Sequence, residues 1–306
     1  MYRDAVEQYG KYVNNPNHFD EDEAEYAFLL FWNQDYQKGY DYATRLLAQN
    51  PDNYSAMRFQ LMNAAQIPAL ADKMPAMALK LWTAHIADPV MRPFAPIDYN
   101  LAADQFSKAK DYEKAEQVLT EATKQFPNDP RFLQARAFMY LDQDNTQAAT
   151  QAYNEYMAKV SQPTAADLRT AMILNYAMAS QLKDTDATAA QQFATALNGY
   201  IAQAQQLYPE EPSTYFFMGR EKILNAPTAN AGSVAVDDFT KGIAAFEQIP
   251  ADKNRPYVNN AVTMYNYLAR AAAKAGNSAQ ARDYYNKVLA LSPNDADAQA
   301  GLKTLK

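Results

Sequence analysis

A recurring stop signal constrains this chain more than anything else in its sequence. Helix-breaking clusters fall at Asn50-Pro51-Asp52, Asp88-Pro89, Pro127-Asn128-Asp129-Pro130, Gln162-Pro163, Pro209, Pro250 and Pro293-Asn294. Pro51 to Pro89 is 38 residues, and Pro89 to Pro127 is 38 again. Proline has no amide donor and its ring clashes with the preceding turn, so each cluster ends a helix. A fixed period in the thirties marks helix pairs stacked in a solenoid, in which each repeat packs only on its neighbours. One continuous core is then not required, and 1–306 reads as a single helical-repeat domain.

Composition agrees. The 306 residues include 57 Ala but only 18 Val and Ile together, a balance that favours helix over sheet. Eight Gly are too few for a hairpin-rich β protein, and no Cys is present. Disulfide frameworks, thiolate metal sites and cysteine nucleophiles are therefore excluded. The two histidines, His18 and His85, cannot build a multi-histidine metal site. A net charge of −7 and a pI near 5.0 oppose nucleic acid and anionic membrane. No apolar run approaches the roughly 18 residues of a membrane span, so no membrane insertion by this segment is expected.

The clearest unit runs from Asn259 to Asp295. Tyr265, Leu268 and Ala269 mark its first helix, Gly276-Asn277 its turn, and Ala281, Tyr285 and Pro293 its second helix. A second unit supplies Tyr99, Ala102, Ala103, Phe106, Ala115, Leu119, Ala122 and Pro127 at the same spacings. Weaker units carry Ala27, Leu30, Gly39 and Pro51, then Leu133, Ala137, Tyr140, Ala149 and Tyr153, then Tyr215, Met218 and Gly219. Small residues belong where antiparallel helices cross most closely, and aromatics fill the wider seams. The pattern resembles the tetratricopeptide repeat family, and the resemblance covers nearly the whole chain. It implies a right-handed α-solenoid of antiparallel helix pairs, a TPR-like superhelix of about seven pairs. An odd helix at Tyr2–Val13 precedes them and a capping helix at Ala296–Leu305 follows.

The pattern is irregular in the middle. Ala165–Leu182 and Ala187–Leu207 read as unusually long helices, and 161–164 is the place for a break between sub-stacks. Long loops are expected at 88–96, 225–233 and 250–256. Tyr2–Val13 has the character of the second half of a helical hairpin, with no basic and apolar leader pattern. A fragment of a longer protein is the corresponding expectation.

No GxGxxG, GxxxxGK[ST], GxSxG or HExxH motif occurs, so no catalytic residue, metal or cofactor is assigned. The run Asp20-Glu21-Asp22-Glu23 lacks the turning glycine of a calcium loop and reads as first-turn carboxylates on a helix dipole. Trp32 and Trp82 are expected in the core. Asn53-Tyr54-Ser55 matches a glycosylation sequon but reads better as a helix start.

In the resembled family the first helices of successive repeats line a concave groove. Carried onto this chain, the ligand-facing positions are Asn100, Asp104 and Lys108; Arg131, Gln134 and Phe138; Phe216 and Arg220; and Asn266 and Arg270. Amides, arginines and aromatics suit an extended peptide. The family's carboxylate clamp for chaperone tails is not reproduced, because Asn100 is followed by Asp104 and then by Gln134 and Phe138. The expected function is a non-enzymatic scaffold that binds a protein or peptide. The alternatives are the regulatory repeat portion of a larger enzyme or sensor, and a helical glycan-binding protein of a cell envelope. The absence of Cys, with rich Asn, Gln and Tyr usage, leans towards a bacterial, periplasmic or envelope-facing protein rather than a cytoplasmic one.

Overall fold

A computed structural model describes residues 2–19, 22–227 and 229–305. Asp20 and Glu21 of the acidic run, and Thr228 of the loop at 225–233, fall outside the described residues. Among the described residues there are sixteen α-helices and no strand. The chain divides into two compact units, Met1–Asn145 and Thr146–Lys306, a boundary one helix before the 161–164 stretch.

The first unit holds α1 (Tyr2–Val13), α2 (Glu23–Trp32), α3 (Tyr36–Gln49), α4 (Tyr54–Ala64), α5 (Met74–Ala87), α6 (Pro96–Lys108), α7 (Tyr112–Gln125) and α8 (Arg131–Asp142). The pairs α2/α3, α4/α5 and α6/α7 pack side by side, and α8 closes on α6 and α7. A 3-10 segment at Pro68–Lys73 leads into α5. The second unit holds α9 (Thr146–Lys159), α10 (Ala165–Leu182), α11 (Ala187–Leu207), α12 (Pro212–Asn225), α13 (Val236–Glu247), α14 (Val258–Lys274), α15 (Ser278–Leu291) and α16 (Ala296–Thr304). Here α9 packs on α10, the pairs α10/α11, α12/α13 and α14/α15 follow, and α16 covers α15. Six of the seven expected pairs thus lie within one unit each, and the residues of the seventh, α8 and α9, straddle the boundary.

Local chemistry sets the helix ends. Side chains of Asn53, Asp111, Asp186, Asn277 and Asp295 each accept a hydrogen bond from the amide three residues on, filling donors the first turn leaves open. Asn53 is engaged in this way, which is the helix-start reading of the sequon. Thr164 and Asp167 form a reciprocal capping box on α10. Several pairs turn through one residue in the left-handed region. Gln34, Lys110, Asp144 and Gly276 have φ of 65°, 59°, 56° and 81° respectively.

Packing follows the small-residue positions. A Cβ on Gly39 would lie 2.3 Å from Oδ1 of Asn63 on α4. Asn63 is fully buried, and its amide donates to the Ala27 carbonyl of α2 at 3.1 Å and to the Phe59 carbonyl at 2.8 Å. The missing side chain at 39 is what lets one amide fasten α4 to α2 beside α3. In the second unit Asn154 and Asn175 exchange amide hydrogen bonds of 3.0 and 2.8 Å between α9 and α10. Their polar groups are satisfied mutually rather than left bare in the core. Trp82 is buried as expected. Trp32 is not. It is about half exposed, with its ring stacked on Tyr2 at 5.9 Å. Ala24, Ala27 and Leu30 take the core face of α2, while Trp32 lies seven residues after the exposed Glu25 and so on the open face.

Candidate functional site

In the first unit, Asp104 and Lys108 stand exposed on α6 and pair with each other at 2.7 Å. Gln105 Nε2 donates to the same Asp104 carboxylate at 2.7 Å. These residues and Leu101 form one wall of a cleft of about 520 Å³ whose other wall is Ile67, Pro68, Met74 and Pro75 at the 3-10 segment. Asn100 is half-buried on the same helix. Arg131 is turned onto Asp129, with Nε 2.9 and 3.1 Å from its two carboxylate oxygens. That hydrogen bonding holds the Asp129 carboxyl below its ordinary value. Arg131 therefore clamps the start of α8, while Gln134 and Phe138 follow on its next turns.

In the second unit the four predicted positions part company. Asn266 is buried, and its amide donates to Asp295, the cap of α16, at 3.2 Å. Arg270 pairs with Asp297 of α16 at 3.3 Å. Both tie the last helix down. Phe216 is half-buried and stacks on Phe239 of α13, ring centroids 6.1 Å apart. Arg220, one turn further along α12, lies with its guanidinium 4.8 Å from the Tyr176 ring of α10 and 6.0 Å from the Phe216 ring. Such placement holds a cation over ring faces without neutralising it. Its Nε is buried and has no hydrogen-bond partner.

Tyr176 reaches Arg220 because α10 and α12 run alongside in the same direction. Arg169 meets Glu211 at 3.5 Å, the Tyr176 ring meets that of Phe217 at 5.9 Å, and Lys183 donates to the Leu224 carbonyl, a constant offset of 41 or 42 residues. Ser180, one turn after Tyr176 on α10, also has a buried hydroxyl with no partner.

The long loops are fastened. His85 Nδ1 lies 2.7 Å from the Arg92 carbonyl and so carries the proton, while Nε2 accepts from the Tyr99 hydroxyl at 3.2 Å. Phe94 stacks on the His85 ring at 4.1 Å, and Tyr54 donates to the Pro93 carbonyl at 3.0 Å. Burial pushes the Tyr99 hydroxyl up to about 12. Nothing in this environment gives His85 a substrate-facing side. It anchors the loop, whose tip leaves Val90 and Met91 84% and 76% exposed. Likewise Tyr267 donates to the Ala231 carbonyl at 2.8 Å, and Tyr257 donates to Glu211 at 3.0 Å. Among the described residues no group of three or more His, Asp or Glu is placed to hold a metal ion, and no helix is long and apolar enough to cross a membrane.

Sequence reasoning did not single out Ile97, Ile173 and Tyr176 at these surfaces, and it placed the half-exposed Trp32 in the core. Ile97 lies on α6 three residues before Asn100, so the register could have found it; no register position was assigned on α10, which carries Ile173. The packing of Tyr176 against Arg220 depends on the offset between α10 and α12, which no local pattern encodes.

Residues 263–295 match the sequence profile of the tetratricopeptide repeat. No curated protein matches the chain. The C-terminal part of a TPR repeat-containing protein from Cytophaga hutchinsonii is similar in structure, with a TM-score of 0.67 at 15% identity over 92% of this chain and 100% of that one. A tetratricopeptide repeat protein from Parabacteroides merdae has a TM-score of 0.49 at 12% identity over 93% and 98%. The human IFIT1 dimer with m7Gppp-AAAA has a TM-score of 0.42 at 12% identity over 95% and 77%.

Proposed function

We propose that this chain, a tetratricopeptide repeat protein by its repeat at 263–295 and by its fold, is a non-catalytic scaffold that binds a protein or peptide on the face of its first helices. The fold supports an interaction role in general terms. The observation that carries the reading is a set of half-exposed apolar side chains on those helices. Trp32 of α2, Ile97 of α6 and Phe138 of α8 are 47%, 46% and 44% exposed in the first unit, and Ile173 of α10 is 48% exposed in the second. Burying the remaining half of one such side chain against a partner is worth about 1 kcal/mol, and aromatic anchors dominate binding surfaces.

The test is capture of partners on immobilised full chain, beside a Trp32→Ala/Phe138→Ala double variant whose helicity is checked by circular dichroism. The expected result is a partner held by the wild type and at least about tenfold more weakly by the variant. Equal affinity for a folded variant would remove the first helices of the first unit from the binding surface.

A further inference from the structure

We infer that Arg220 is the anchor for a carboxylate of the bound segment, and that the partner is a peptide stretch carrying an acidic residue beside an apolar one. The inference rests on the scaffold reading and adds the chemistry of the occupant. Arg45, Arg58, Arg131, Arg136, Arg169 and Arg270 each lie within 3.8 Å of a carboxylate oxygen of this chain. Arg220 does not. Among the described residues no carboxylate oxygen lies within 4.0 Å of it. The neighbouring charges are spoken for: Glu221 accepts from Asn225 at 2.7 Å, Lys222 pairs with Asp238 at 2.6 Å, and Lys183 donates to the Leu224 carbonyl.

A half-buried cation without a counter-ion is costly unless something supplies one. Tyr176 and Phe216 hold the guanidinium in place, so little side-chain entropy is lost when an anion docks. The fork geometry of a guanidinium matches a planar carboxylate through two parallel hydrogen bonds. A doubly charged phosphate would call for a second cation; Lys222 is neutralised by Asp238, while Lys183 keeps its charge on the Leu224 carbonyl, so phosphate is the competitor the experiment includes. The net charge of −7 adds a general repulsion of polyanions. Ile173 sits three residues before Tyr176 on α10, hence on the same face, and is open to an apolar side chain next to the carboxylate.

The experiment is selection of a random heptapeptide library on the immobilised full chain, in parallel on Arg220→Met and Arg220→Lys, with circular dichroism confirming that each variant is folded. The expected wild-type pool is enriched in Asp or Glu at a fixed distance from an apolar residue. Arg220→Met should lose that enrichment. Arg220→Lys, which keeps the charge but not the fork, should bind the selected peptides about tenfold to a hundredfold more weakly, as should the wild type when Asp in a peptide is replaced by Asn. Persistence of the acidic enrichment in Arg220→Met overturns the assignment, as does displacement of the peptides by inorganic phosphate but not by acetate. A pool without acidic residues that still needs Trp32 and Phe138 overturns it and leaves the scaffold reading standing. No selected peptide at all overturns the assignment, and the scaffold reading then stands or falls on the capture test with Trp32→Ala/Phe138→Ala.

Discussion

Gly219 and Gly199 offer the same substitution in two helices of one unit, with opposite expected signs. Gly219 lies within α12, and a Cβ there would sit 2.3 Å from Cε1 and 2.6 Å from Cδ1 of Phe239. Ordinary contact begins near 3.4 Å, so the ring would have to retreat by more than an ångström. It has nowhere to go: it is buried, stacked on Phe216, and meets Tyr267 edge to face at 4.9 Å. Gly199 lies within α11 with nothing within 4 Å of the added Cβ. Replacing an interior helical glycine by alanine gains about 1 kcal/mol of helix propensity. At position 199 that gain should appear almost whole. At 219 overpacking of about 1–3 kcal/mol works against it, at the upper end because the obstacle is a wedged ring. Gly199→Ala is thus expected to stabilise by about 1 kcal/mol, and Gly219→Ala to destabilise by about 1–2 kcal/mol. Urea unfolding followed by circular dichroism reads the difference. Two variants shifted equally in the same direction would refute the reasoning that close approach, not local propensity, keeps glycine at 219.

Three further outcomes are expected. Asp98 is buried and pairs with Arg58 at 2.7 Å; burial raises its carboxyl and the guanidinium draws it back only partly. A raised folded value means the charged form burdens the native state as pH climbs above 3.8, so Arg58→Met should cost about 3–5 kcal/mol near neutral pH and much less near 3.8, measured by unfolding at both. A pH-independent cost would show that the pair contributes packing alone. Lys110 turns α6 into α7 at φ 59°, where a Cβ is strained, so Lys110→Gly should raise the melting temperature, by up to about 1 kcal/mol of stability; a fall would mean the lysine stem packs more than its backbone strains. Thr164→Ala removes the capping box that, against burial, holds the Asp167 carboxyl below 3.8. Its cost of about 1 kcal/mol should be full above 3.8 and fall in part as pH drops through the lowered folded value, because the Oγ1 bond to the Asp167 carboxylate titrates while the cap on the Asp167 amide does not; unfolding at the two extremes reads this.

Much of the fold was legible because its determinants are local. The bounds Tyr2–Val13, Ala165–Leu182 and Ala187–Leu207 coincide with helices in the structure, since prolines, asparagines and capping carboxylates act within one turn. The segment Pro68–Lys73, a 3-10 helix that places Leu70 in the core, was not foreseen, because six residues carry no helical period. Surfaces were legible only as register. The spacing put Phe216 and Arg220 on one face of α12, and they are. It could not distinguish Asn266, which caps a buried contact to Asp295, from an amide left open for a ligand. Trp32 was misplaced by residue type, although its spacing of seven from Glu25 marks the open face of α2.

The amide of Asn63 filling the space beside Gly39 has a consequence for the way this sequence can vary. The two positions are 24 apart in the chain yet share one volume. A methyl gained at 39 displaces the amide, and a shorter residue at 63 leaves the Ala27 carbonyl without its donor and a hollow beside 39. Each change alone is a defect, and the pair together is an exchange of one packing solution for another. Position 39 should therefore accept alanine only in a background where 63 has already become small and apolar, so that the order in which the two mutations arise decides which lineages survive the passage.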